Sequence, residues 1–191
     1  DEISCGQGAD TVYVESTAPD RDDLTGCETV VKIDPEPATE QTPPSVIPGT
    51  EGNDTLFGTP NDDSLFGAGG DDVLFGNEGN DYVDGEDGND ELHGGPGDDQ
   101  IYGRNDNDTI LGNEGNDYLE GDRGSDTING GPGNDRIYGN LDGDLIAGED
   151  GDDRINVVGG GVDRVSCGAG NDVVFADGED TVASDCESVR R

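Results

Sequence analysis

Gly94-Gly95-Pro96-Gly97-Asp98-Asp99-Gln100-Ile101-Tyr102-Gly103 recurs almost unchanged as Gly130-Gly131-Pro132-Gly133-Asn134-Asp135-Arg136-Ile137-Tyr138-Gly139. Each stretch holds an Asp, an aliphatic residue two positions later and a Gly four positions later. This phrase repeats every nine residues, twelve times without a slip. The Asp stands at Asp54, Asp63, Asp72, Asp81, Asp90, Asp99, Asp108, Asp117, Asp126, Asp135, Asp144 and Asp153. The aliphatic runs from Leu56 and Leu65 to Ile146 and Ile155, and the Gly from Gly58 to Gly148, with Val157 the one departure. A short fixed period of this kind signals a solenoid, whose repeats bury their apolar side only by stacking on one another. Pro60, Pro96 and Pro132 lie 36 residues apart, which indicates growth by copying blocks of four repeats.

Composition alone points elsewhere. The chain has 191 residues, 28% hydrophobic, with a formal net charge of −38. Few apolar residues and a large net charge ordinarily mean disorder. An ordered repeat therefore requires something to neutralise the acid, and the composition asks for a cation. Nine Lys and Arg residues leave no basic patch for a nucleic acid. No apolar run approaches the roughly 20 residues that span a bilayer, so membrane insertion is not expected. The chain contains no Met, as after removal of a signal peptide or excision from a longer polypeptide.

Outside the array, two modules resemble each other. Residues 1–33 read Asp1-Glu-Ile3-Ser4-Cys5-Gly6-Gln-Gly8-Ala-Asp10-Thr-Val12 and reach Cys27-Glu28. Residues 162–191 read Asp163-Arg-Val165-Ser166-Cys167-Gly168-Ala-Gly170-Asn-Asp172-Val-Val174 and reach Cys186-Glu187. Each holds about two degenerate nonapeptides and two cysteines. Four cysteines allow three connectivities; the duplication favours the local pairs Cys5–Cys27 and Cys167–Cys186. Four free thiols fit less well with an exported chain, and no CxxC spacing supports a zinc site. Residues 34–48 contain five prolines and read as an extended linker to the array at 49–161.

Within a nonapeptide, the three residues after the Asp read as a short strand with its centre pointing inward. The other six, rich in Gly, read as a turn. Where the Gly two before the Asp is missing, Asn61, Asp106 or Asp142 stands in, residue types that tolerate the left-handed region. Two nonapeptides make one coil of 18 residues, giving an all-β parallel solenoid with a thin Leu/Ile core. Such a core faces an ordering cost of about 1–2 kcal/mol per residue and cannot meet it alone. Aspartates 18 residues apart then stack on one edge: Asp54, Asp72, Asp90, Asp108, Asp126 and Asp144 on one, Asp63, Asp81, Asp99, Asp117, Asp135 and Asp153 on the other. Bare carboxylates so stacked repel. A hard divalent cation between coils reverses the sign, and calcium, with six to eight oxygen ligands and tolerance of irregular geometry, suits better than magnesium. His93 is the only histidine, so imidazole-seeking metals lack ligands.

These residues resemble the repeats-in-toxin, or haemolysin-type, calcium-binding nonapeptide, Gly-Gly-x-Gly-x-Asp-x-aliphatic-x. The resemblance is strong over residues 49–159 and weak over 1–13 and 163–182, and the cysteine-bearing end module looks like the terminal cap of secreted actinobacterial members. It implies a right-handed parallel β-roll, with calcium between successive coils held by the Asp side chains and turn carbonyls. Five gaps on each edge then take about ten ions. The second Gly of the motif is often replaced (Asn77, Glu86, Arg104, Asn113, Asp122, Asn140, Glu149), as expected where mainly the backbone matters.

Phe57, Phe66 and Phe75 occupy the outward position three after the Asp, and an exposed cluster there asks for cover, from residues 1–48 or from another molecule. His93 reads as a surface residue. Asp62, Asp71, Asp98 and Asp152 precede a ladder Asp and read as solvated or outer-shell groups. No catalytic constellation is present, and a strict repeat offers no unique spot for one. The sequence therefore supports a secreted, extracellular, calcium-binding structural protein whose folding calcium drives. Two further roles stay open. One is a subunit of a head-to-tail filament, and the other is the C-terminal folding or secretion module of a longer exported enzyme or adhesin. Contact with a cell surface is open on the same footing.

Overall fold

The computed structural model describes residues 44–191 in full and, before them, the backbone of β1 (Thr11–Glu15) and β2 (Thr29–Ile33). The expectations placed on Cys5, Cys27 and residues 34–43, and the idea that the leading residues cover the first rings, lie outside the described residues. The chain forms two units, Asp1–Gln41 and Thr42–Arg191. In the first, β1 and β2 pair in parallel with Thr11 opposite Thr29, the same 18-residue step that the nonapeptides predict.

The second unit is a parallel β-solenoid of about eight turns, with about 18 residues per coil and no helix. Its odd strands form one nine-stranded sheet: β3 (Val46–Pro48), β5 (Ser64–Phe66), β7 (Tyr82–Asp87), β9 (Gln100–Asn105), β11 (Tyr118–Arg123), β13 (Arg136–Leu141), β15 (Arg154–Val157), β17 (Val173–Ala176) and β19 (Ser188–Arg190). The even strands form a sheet of eight: β4 (Thr55–Phe57), β6 (Val73–Phe75), β8 (Glu91–Pro96), β10 (Thr109–Glu114), β12 (Thr127–Pro132), β14 (Leu145–Asp150), β16 (Arg164–Ala169) and β18 (Thr181–Val182). The aliphatic two after each Asp points between the sheets, and from Leu65 to Ile155 every one is at most 1% exposed. The core is thus one file of Leu, Ile and Val side chains from each sheet, each resting on its own kind one coil away.

Three features depart from the sequence reading. The strands β7 to β14 are six residues long rather than three, because the chain resumes pairing beyond the Gly: Glu86 faces Arg104, and Asp122 faces Asn140. The solenoid begins inside the proline-rich stretch, where Val46–Pro48 pairs with Ser64–Phe66; β3 is the last strand of its sheet, and an edge is where proline is tolerated. The C-terminal module continues the same coil. Its extra residue shifts pairing so that Leu145 meets Arg164, and the last coil is shorter, with Val173 opposite Ser188. A disulfide joins Cys167 to Cys186, with Cα atoms 5.1 Å apart.

The three phenylalanines do not form one cluster. Successive repeats lie on opposite sheets, so Phe57 stacks on Phe75, and Phe75 on His93, with ring centroids 5.1 and 4.6 Å apart. Phe66 instead begins a file on the other sheet, Phe66–Tyr82–Tyr102–Tyr118–Tyr138, at 5.3–5.7 Å. Most of these rings cover one another. Phe57, at the end of its file, stays 60% exposed. His93 is a surface residue hydrogen-bonded to Glu91 at 2.9 Å.

Candidate metal centre

The position of each ladder Asp follows from its neighbours in the chain. The strand after it is anchored by its inward aliphatic, and the Gly five residues before it lets the turn fold tightly against it. The side chain therefore points into the gap between coils. Its Oδ1 accepts the backbone N–H of the Asp one coil earlier: Asp81 N–H reaches Asp99 Oδ1 at 2.7 Å, and Asp108 N–H reaches Asp126 Oδ1 at 2.8 Å. One ladder runs from Asp54 through Asp72, Asp90, Asp108, Asp126 and Asp144 to Asp163 and Asp180. The other starts at Ser45 and runs through Asp63, Asp81, Asp99, Asp117, Asp135 and Asp153 to Asp172 and Glu187. All twelve predicted aspartates are on these two edges, as read.

The second oxygen is the chemically telling one. From Asp72 to Asp153, and again at Asp172, Oδ2 is buried and has no hydrogen-bond partner. A buried, unpartnered carboxylate oxygen costs free energy, and folded proteins rarely tolerate it. Eleven in two straight files point to a missing partner. A β-carbon on Gly94 would stand 2.2 Å from Asp99 Oδ2 and 2.7 Å from the carbonyl oxygen of Gly112 in the next coil. The same arrangement recurs at Gly85, Gly103, Gly112 and Gly130. From Gly67 to Gly130 each gap is thus lined by a carboxylate oxygen of one coil and a glycine carbonyl of the next, at Gly148 the carbonyl is that of Cys167, and only glycine leaves the gap open. Among the described residues no three Asp, Glu, Cys or His side chains converge on one point. The donors are single carboxylates completed by backbone oxygens, a set that suits calcium.

Burial dominates the electrostatics. It raises Asp81 to about 6, Asp99 to about 7 and Asp108 to about 8, against the lowering effect of the N–H each accepts, and neighbouring ladder carboxylates add to the rise. Without a cation, burial opposes the ionisation of these groups, most strongly at Asp108. Asp63 behaves oppositely: burial acts to raise it, but the N–H groups of Thr59 and Ser45 outweigh burial and hold it below the usual range.

Outside the inner ladders run a second pair. Asp62, Asp71, Asp98 and Asp152 are exposed, and each accepts the N–H of the equivalent residue one coil later: Asn80, Asn89, Asn116 and Asn171. Asn80, Asn107 and Asn134 continue the files. The N–H groups of Asn89 and Asn116 hold Asp71 and Asp98 below the usual carboxylate range, and Asn171, chiefly through its side chain, does the same at Asp152. These residues tie coils together and leave the gap to the inner oxygens.

Sequence reasoning missed two things at the site. Asp163 and Asp172 extend the ladders into the cysteine module; the near-nonapeptide Gly168-Ala-Gly170-Asn-Asp172 carried that signal. The position four before the Asp is not free to vary in conformation. Ala68, Asn77, Glu86, Arg104, Asn113, Asp122, Asn140 and Glu149 all hold φ between 71 and 86° there, at about 1–2 kcal/mol each for a non-glycine residue. Arg104 uses its place to bind the buried Asp84 at 2.7 Å through Nη2.

A stack of parallel coils with two rows of oxygen-lined gaps defines a calcium-binding solenoid. The profile of the RTX calcium-binding nonapeptide repeat (4 copies) matches residues 48–83, 84–119, 111–146, 120–155 and 157–185, and the chain belongs to that family. Comparison with curated proteins gives no match.

Proposed function

We propose that the chain is a secreted structural module whose central coils fold when calcium enters the gaps between them. The observation that carries this is the double file of buried Oδ2 atoms with no partner from Asp72 onward. Bound calcium would supply the positive charge that those oxygens and the facing glycine carbonyls lack. The ligands come together only when successive coils are stacked, so binding free energy is folding free energy. About ten ions, as the gaps suggest, would offset a little over half of the net charge of −38 and leave an acidic, soluble surface. The family and the disulfide at the C-terminal end support export to an oxidising, calcium-rich medium. The role is structural because the described coils repeat the same groups and, among the described residues, leave no unique constellation. Circular dichroism of the calcium-free protein, then with millimolar calcium, tests the reading. A coil-like spectrum converting to β is expected, and identical spectra would overturn it.

A further inference from the structure

The first two rungs of the ladders differ from all the others. Asp54 Oδ2 accepts the backbone N–H of Thr50 at 2.6 Å and the Thr50 hydroxyl at 2.8 Å. Asp63 Oδ2 accepts the backbone N–H of Thr59. From Asp72 to Asp153 no donor reaches this oxygen.

The cause is local and legible. Thr50 and Thr59 stand four residues before their Asp, where every residue from Ala68 to Glu149 has positive φ. A β-branched residue is among the least able to adopt that conformation, and neither threonine does. Gly52 and Asn61, two before the Asp, also lack the positive φ found at Gly70, Gly79 and their successors. These two turns therefore take a different shape, one that aims an N–H at the carboxylate. An N–H placed there presents the positive end of its dipole to the oxygen. It satisfies the group and opposes a cation at the same point.

We infer that Asp54 and Asp63 are not calcium ligands: their turns close on the N–H groups of Thr50 and Thr59, and the calcium-taking run begins at Asp72. At the far end the hydrogen-bonded file continues to Asp163 and Asp172, which accept the N–H groups of Asp144 and Asp153. Relative to a count of nonapeptides, the metal ladder starts one coil later. The first coil of the described array is metal-free and closed by hydrogen bonds. This inference rests on the calcium reading above and fixes which residues take part in it.

Equilibrium dialysis of the full chain against calcium, with metal analysis, tests it. Three proteins are compared: wild type, Asp54→Asn/Asp63→Asn, and Asp90→Asn/Asp99→Asn. The N-terminal pair is expected to bind as many ions per chain as wild type, and the central pair about two fewer. Loss of two ions in the N-terminal pair, with its β spectrum intact, overturns the inference. If that variant does not fold, the calcium-loaded wild type decides. Slow hydrogen exchange at the Thr50 and Thr59 amides supports the closure, and fast exchange overturns it. A wild type that binds no calcium removes the underlying reading as well, and the wild-type count alone distinguishes that case.

Discussion

The central coils and the last coil close the same turn by different means. In the centre, Gly94 leaves room for the Oδ2 of Asp99 beside the carbonyl of Gly112, and nothing covalent joins the coils. At the end, the equivalent position, five before Asp172, is occupied by Cys167, fully buried and bonded to Cys186. The terminal coil can hold a side chain there because its following turn is cut short, with Val173 pairing with Ser188 only 15 residues on. Both regions keep the Asp N–H ladder. A cation-filled gap suits the interior, where coils lie on both sides. A covalent bond suits the last described coil, where Cys167 takes the place of the glycine.

The largest expected effect separates these closures. Gly94→Ala places a β-carbon on Asp99 Oδ2 and the Gly112 carbonyl. Overpacking costs about 1–3 kcal/mol, and the blocked gap loses its ion besides, so the calcium-loaded protein should melt markedly lower and bind about one ion fewer. Cys167→Ala/Cys186→Ala removes a link closing a loop of 19 residues, worth about 3 kcal/mol, yet its effect should stay local. Hydrogen exchange should rise in β18 and β19 and remain slow in β7 to β14. Rapid exchange throughout the array in the cysteine variant would show that the two closures are not separable.

Acid should act on the two regions unequally, and in an unusual direction. Burial raises Asp99 to about 7 and Asp108 to about 8 in the folded, metal-free coils, whereas an unfolded Asp titrates near its ordinary value of 3.8. Between those values the folded chain binds more protons than the unfolded one, so stability is lost as pH rises and regained as it falls. Calcium-free protein should therefore gain β structure from pH 8 toward pH 5, protons standing in for the cation. In the calcium-loaded protein the same protons compete with the metal, and affinity should fall over that window. Asp163 and Asp172 are raised less, burial again being the main cause, and the disulfide-closed end should respond less. A calcium-free spectrum that does not change with pH would refute the assignment of the buried oxygens as the charge problem.

Much of this was legible because the period is strict. Coil length, inward aliphatics and both Asp edges follow from spacing alone, and Leu65 to Ile155 are buried as that spacing requires. What stayed hidden depends on backbone angles rather than residue period. Glu86, Arg104 and Glu149 look like arbitrary replacements of a glycine, yet each holds a left-handed φ. Thr50 and Thr59 look equally arbitrary, and their refusal of that φ changes the chemistry of Asp54 and Asp63. Val46–Pro48 was obscured because proline reads as a linker unless the strand is known to be an edge. The continuation into Asp163 and Asp172 was obscured by one inserted residue, which alters pairing but not the ladder.

The smallest effect tests what those left-handed residues cost. The terminal turn uses Gly168 at the position four before Asp172, with φ 95°, where the central turn before Asp153 uses Glu149 at 78°. Glu149→Gly brings the terminal solution into the array. It relieves about 1–2 kcal/mol of left-handed strain but adds unfolded-state entropy of about 0.4–1 kcal/mol, and it gives up an exposed 3.2 Å bond from Asn129. A small net gain in the stability of the calcium-loaded protein, about 0.5 kcal/mol, is expected, seen as a slightly higher melting temperature. Arg104→Gly makes the same backbone change with the opposite outcome, because it takes the cation from Asp84, a 5% exposed carboxylate that Arg104 grips through Nε and Nη2, and leaves it only the Tyr82 hydroxyl as a side-chain partner. Removing one partner of such a pair costs several kcal/mol, about 3–5 where burial is complete, and this partly exposed guanidinium should fall at or below the lower end. If both variants were destabilised alike, left-handed strain would not be a measurable part of the turn, and the difference between central and terminal turns would reduce to the disulfide alone.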